Sequence, residues 1–171
     1  EEQGFYKSNI INPVRENSVK VIDEMTGGDE GEYLKGLVLG ERSNLSKELK
    51  ENFINAGVAH IIAVSGLNVA YVMIILWGVL TFIPIKHSYK IFITIILLIF
   101  YMNLTGNTPS IIRATIMAIV FLLARIIERK PNGFNIVAFA GLIILLIDPR
   151  QLFDAGFILS FSAIISIMLI Y

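Results

Sequence analysis

The 171-residue chain has no cysteine, two histidines, one tryptophan and five prolines, and only 16% of its residues are charged. Without cysteine it can form no disulfide, no thiolate metal site and no thiol nucleophile. His60 and His87 alone argue against an all-protein zinc centre, and no HExxH, paired-carboxylate or glycine-rich phosphate motif is present. The scarcity of charge goes with an apolar surplus: 55% hydrophobic residues and a mean hydropathy of +0.70, outside the balance of a soluble domain. The expected fold class is all-α, a polytopic membrane helix bundle preceded by short amphipathic helices.

The net charge is zero, yet the two parts of the chain differ. Residues 1–60 carry seven Lys/Arg against eleven Asp/Glu, whereas residues 61–171 carry seven against three. This divides the chain into an acidic front part, residues 1–57, and a membrane part, residues 58–171. The chain opens on Glu1-Glu2-Gln3 and stops at Tyr171 within an apolar run, which reads as an internal piece of a longer protein.

Capping residues divide the front part into three helices. Asn12-Pro13 opens the first and Gly27-Gly28 ends it; Asp29-x-x-Glu32 reads as a capping box for the second, closed by Gly40. Ser46 with Glu48 opens the third, stopped by Gly57. Each carries a narrow apolar stripe and is too short to stand alone, so it should dock on the bilayer interface or on the bundle.

Five apolar segments follow, at 61–83, 91–105, 109–127, 134–147 and 155–171. The first is long enough to cross a hydrocarbon core of about 30 Å, and the fourth, at about 21 Å as a helix, is short for a span. If all five cross, Lys86 and Lys90 share a side with Arg125, Arg129 and Lys130, and the positive-inside rule places residues 1–60 outside the cytoplasm. Small residues spaced four apart, Gly66/Ala70, Ser110/Ala114/Ala118 and Gly156/Ser160, allow close helix packing.

Several polar residues sit at membrane depth, where they must find partners or water. His60 reads as an interfacial residue, or as a partner for Ser65 or a phosphate. Ser65-Gly66-Leu67-Asn68 is either a polar break facing a cavity or a set of helix-packing contacts, with Asn68 bonding across helices. Arg113, one turn inside the third segment, either snorkels outward or faces inward, attracting a phosphodiester backbone or pairing with Asp154. Asp148, Arg150 and Asp154 read as a solvated turn that starts the last helix. No base or acid partner marks Ser65 as a nucleophile.

Three stretches, taken together, carry a resemblance. They are Leu37-Val38-Leu39-Gly40-Glu41-Arg42 with Leu45-Ser46-x-Glu48-Leu49; Gly57-x-x-His60 through Ser65-Gly66-Leu67-Asn68-Val69; and Pro109-Ser110-Ile111-Ile112-Arg113-Ala114 followed by Asp148-Pro149-x-x-Leu152-Phe153-Asp154-x-Gly156-Phe157-x-Leu159-Ser160-Phe161. Over about residues 30–171 the chain resembles the membrane competence domain of ComEC-type DNA-internalisation proteins. One departure is Asn68, where that family often has His; Asn cannot change charge with pH.

The resemblance implies a multi-pass protein of the bacterial inner membrane that takes up single-stranded DNA in natural transformation, with no cofactor and no catalysis in this chain. The partners it implies are single-stranded DNA, membrane lipid, a DNA receptor, a cytoplasmic DNA translocase and, in a homo-oligomer, further copies of the chain. His60, Ser65, Asn68, Asn103, Ser110, Arg113 and Ser160 are the candidates for the DNA path, and Gly66, Ala70, Ala114, Ala118 and Gly156 for helix packing or a break. A small-solute transporter, a membrane-embedded enzyme and a non-transporting scaffold are the alternatives.

Overall fold

The computed structural model describes residues 7–41, 51, 55–56, 65–127 and 132–170. The expectation for His60 falls outside these residues, and the one for a third front helix at Ser46–Gly57 falls outside them except at 51 and 55–56. Seven α-helices are described: α1 (Asn12–Met25), α2 (Asp29–Leu39), α3 (Gly66–Thr81), α4 (His87–Leu104), α5 (Pro109–Ile126), α6 (Gly133–Ile147) and α7 (Ala155–Ile170). A π-helical turn (Lys7–Ile11) leads into α1, a 3-10 turn (Pro149–Phe153) precedes α7, and no strand occurs among the described residues.

The front helices start differently from the sequence reading. Asn12 does not cap α1, because the π-helical turn runs straight into it with Ile11 already helical. Ile11 is buried, and this turn together with α1 packs on α4, so the front part docks on the bundle. The capping box of α2 does not form either. Gly28, at φ +73°, takes the cap position, which leaves Asp29, Glu30 and Glu32 in the first turn, facing the positive end of the helix dipole. At the far end Gly40 adopts the left-handed conformation that the sequence assigns to it.

Charge pairing holds the α1–α2 hairpin. Lys35 is only 4% exposed, and its ammonium sits 2.8 Å from Asp23 of α1 and 2.5 Å from Glu32 of α2. The hydrogen bonds to Asp23 and Glu32 hold its pKa above the ordinary lysine value. A raised folded-state pKa contributes stability that is complete below the unfolded value of about 10.4 and is lost as pH rises through the folded value. The hairpin should therefore keep its geometry from neutral pH to about 10 and open above that. Spin labels at Lys20 and Glu30 report this distance; it should already be lengthened at neutral pH in Lys35→Met. An unchanged distance in that variant would show that the ion pairs do not hold the hairpin.

The membrane part is ordered around α5, which packs against α3, α4, α6 and α7. Val69 of α3, Ile91 and Leu98 of α4, and Ile111 and Leu122 of α5 form its buried cluster, flanked by Met73, Trp77, Tyr101, Ala114 and Ala118. Outside this cluster large apolar side chains stay exposed, among them Ile74, Phe92, Ile96, Leu146, Leu159 and Leu169. So much apolar surface is tolerable where lipid or further helices replace water.

The 18-residue helices α4 and α5 are long and apolar enough to cross a membrane. The others, of 15 or 16 residues, measure about 22–24 Å and reach across a core of about 30 Å only with their flanks or by local thinning. The segment 61–83 is not one helix: Ser65 is extended (φ −104°, ψ 164°) and α3 starts at Gly66, with the Asn68 N–H donating to the Ser65 carbonyl at 3.0 Å. Conversely, α4 starts at His87, ahead of Ile91. Lys90 can lie within it because its ammonium reaches the Thr81 carbonyl at the C-terminal end of α3, 3.3 Å away.

Candidate functional site

Helices that follow one another along the chain alternate in direction, so α3 and α5, packed side by side, run parallel. Gly66 at the start of α3 faces Ser110 and Ala114 near the start of α5, while Trp77 lies near Arg125 toward the opposite ends of both. The starts of α3, α5 and α7 and the ends of α4 and α6 therefore share one end of the bundle, where most of its polar side chains collect.

Arg113 is the central group of this end. It lies one turn into α5 and is only 6% exposed. One of its terminal nitrogens is 3.4 Å from Asp154 Oδ1, and the same oxygen accepts the Phe157 N–H at 2.9 Å. Asp154 thus caps the start of α7 and stands between that helix's partial positive charge and the guanidinium, which would otherwise repel each other. The close approach depends on Gly156: a Cβ there would lie 3.1 Å from an Arg113 terminal nitrogen and 3.0 Å from Asp154 Oδ1.

The ion pair leaves Arg113 incompletely satisfied. Its Nε is buried with no hydrogen-bond partner among the described residues, as are the hydroxyls of Thr108 and Thr115 on the same stretch of chain. Beside it a cleft of about 210 Å³ opens between α5 and α6, lined by Ile112, Arg113, Ile116, Ile144, Asp148 and Gln151. Asp148 is itself occupied, accepting from the Arg150 N–H and from Gln151 Nε2. Arg113 is thus a desolvated cation with spare donors beside an open cleft, suited to an anionic oxygen.

Asn68 is engaged differently. Its Nδ2 donates at 2.8 Å to the Leu37 carbonyl, one of the C-terminal carbonyls of α2 that have no partner within the helix. Its Oδ1 lies 3.4 Å from Ser65 Oγ, and its side chain interacts with the half-buried Tyr101 phenol. The Ser65–Asn68 turn therefore ties the front hairpin to the bundle through a contact across 31 residues.

The remaining sequence candidates fall in two groups. Asn103, at the end of α4, bonds back to Ile99 O at 2.8 Å and accepts from Asn107 at 3.4 Å, which places it at the same polar end. Ser110 lies beside Gly66, and Ser160 is half-buried on α7. Among the small residues, a Cβ on Gly66 would lie 3.1 Å from the Ala114 Cβ, Ala118 flanks the buried cluster and Ala70 is half-buried on α3. Tyr101 and Lys35 were not singled out from the sequence. Tyr101 had one legible sign, a polar-tipped aromatic in the last turn of an apolar helix; Lys35 had none.

A buried cation on the central helix and polar side chains gathered at one end define an all-α membrane helix bundle with a polar end, without a metal-binding cluster among the described residues. The model of a protein family described as "Competence protein" matches residues 37–171, and the chain belongs to that family. ComE operon protein 3 of Bacillus subtilis (strain 168) is 26% identical over 156 residues, covering 91% of this chain and 20% of that protein. An uncharacterized protein of Aquifex aeolicus (strain VF5) is 29% identical over 130 residues, 75% of this chain and 30% of that protein. The uncharacterized protein YcaI of Escherichia coli (strain K12) is 27% identical over 143 residues, 80% of this chain and 19% of that protein. The chain thus spans between 19% and 30% of the length of these relatives. No solved structure matches it.

Proposed function

We propose that this chain contributes the helices of a membrane conduit for single-stranded DNA in natural transformation. In this reading it is a multi-pass component of the bacterial inner membrane, with its acidic front part outside the cytoplasm. A DNA receptor delivers the strand at the polar end, and a cytoplasmic translocase draws it from the basic end. Further copies of the chain could complete the conduit's wall.

Membership of the competence family supports a role in DNA uptake, and Arg113 carries the conduit reading. A charge near the middle of a membrane helix costs about 2.5–3.5 kcal/mol on insertion scales, less near an end. A purely structural bundle gains little from such a residue, whereas a phosphodiester passing the cleft would find its spare donors. The contact would weaken with salt, as counterions compete for the backbone.

Photo-crosslinkers at Ser65, Ser110, Arg113 and Ser160, compared with the lipid-facing positions Ile96 and Leu169, test the path in the full-length protein carrying stalled DNA. Adducts should form at the first set and not at the second. Equal or absent labelling at both sets would overturn the conduit. One observation favours a second reading: the Arg113–Asp154 pair joins α5 to α7, as a lock in a scaffold would.

A further inference from the structure

The opposite end of the bundle holds a different kind of cleft. Between α3 and α5 a cavity of about 360 Å³ is lined by Met73, Ile74, Gly78, Phe121 and Leu122, with Trp77 and Arg125 also in its wall. Gly78 leaves it open, since a Cβ there would meet nothing within 4 Å. Ile74, on its wall, is 63% exposed, so the cleft opens on the outer face of the described helices rather than between them.

Arg125 is poised over this apolar groove. Its guanidinium carbon lies 6.0 Å from the centre of the Trp77 ring system and 5.9 Å from that of Phe121, a cation–π arrangement that orients the fork while leaving its N–H groups available. It makes no ion pair among the described residues. His87 meets Trp77 edge-on at 5.4 Å, and Lys86 and Lys90 lie at the same end. The chain has no Asp or Glu at all from Gly66 to Ile127, so this cluster faces no carboxylate from α3, α4 or α5.

We propose that this cleft binds one anionic phospholipid, its phosphate held by Arg125 with Lys90 nearby and an acyl chain laid in the groove against Trp77. Three features specify that ligand together: an apolar groove open to the bilayer, cations at its rim with no carboxylate partner among the described residues, and a position on the basic side, where the positive-inside rule and anionic lipids coincide. A neutral lipid would fill the groove but leave the cations unanswered. A further transmembrane helix could also cover the groove, yet it would have to supply a carboxylate at the headgroup level. The inference rests on the membrane placement of the bundle and not on DNA transport, so its failure would leave the conduit reading untouched.

Trp77 is the only tryptophan in the chain, which makes it a built-in reporter. With the whole chain in mixed vesicles, bromine is placed on the acyl chains of either phosphatidylglycerol or phosphatidylcholine at equal mole fraction. Brominated phosphatidylglycerol should quench Trp77 preferentially, with about a fivefold enrichment per participating cation, and high salt should reduce the preference. Arg125→Gln should abolish most of it, and Arg125→Lys should restore part. Because Lys90 also bonds α3, Lys90→Gln is read only alongside Arg125→Gln, which leaves that bond intact. Equal quenching by both lipids overturns the proposal, and so does quenching by neither, which would show that protein covers the groove.

Discussion

Arg113→Gln should lower transformation by about ten- to a hundredfold, the loss expected when a charge-assisted contact worth roughly 1.5–3 kcal/mol is removed. Its abundance in the membrane should stay level or rise, because the desolvated charge is gone. Arg113→Lys keeps the charge and loses the planar fork, so it should recover part of the activity. The discriminating variant is Asp154→Asn. Asparagine still caps α7 and still offers the guanidinium an oxygen, so the fold is retained. If Arg113 serves a passing phosphate, weakening its internal competitor leaves uptake unchanged or raises it. If the pair is only a lock, uptake falls in both variants along with bundle stability. Transformation frequency scored beside membrane abundance separates the two. Normal transformation in Arg113→Gln would remove this residue from the DNA path.

What the sequence made legible is what local chemistry decides. Pro109 opens α5 behind Thr108, Gly40 closes α2 in the left-handed conformation, and α6 and α7 fall on their apolar runs. These signals need only a few neighbouring residues. The front caps misled because two local solutions competed: a glycine that accepts φ +73° at position 28 displaced Asp29 from the cap, and Glu32 went to Lys35 instead. Contacts across long stretches of chain were beyond reach of pattern. The bond from Asn68 to Leu37 spans 31 residues and pairs a side chain with a backbone carbonyl, a partner that no residue type marks. Arg113 and Asp154, 41 residues apart, can be matched from sequence only because both are charges adjoining apolar runs, where unpaired charge is costly.

Gly156 should tolerate alanine but not valine. Its missing side chain leaves the room in which Arg113 and Asp154 meet, and a Cβ would approach both at 3.1 and 3.0 Å. Gly156→Ala asks the flexible tip of Arg113 to shift by a few tenths of an ångström, so the cost should be small. Gly156→Val adds two further methyl groups in the first turn of α7, and the guanidinium cannot clear them without leaving Asp154. Overpacking alone costs about 1–3 kcal/mol. Breaking a fully buried ion pair costs about 3–5 kcal/mol, but the Asp154 side chain is 50% exposed and water can reach it, so only part of that applies. A total loss of about 2–4 kcal/mol is expected, read as separation of α7 from α5 by spin-label distances and by unfolding in detergent. The decisive comparison is Gly156→Val made in the Arg113→Gln background. There the shorter neutral side chain yields the space, and the valine should cost at least about 1 kcal/mol less than in the parent chain. Strictly additive losses would show that Gly156 is needed for some contact other than the one with Arg113.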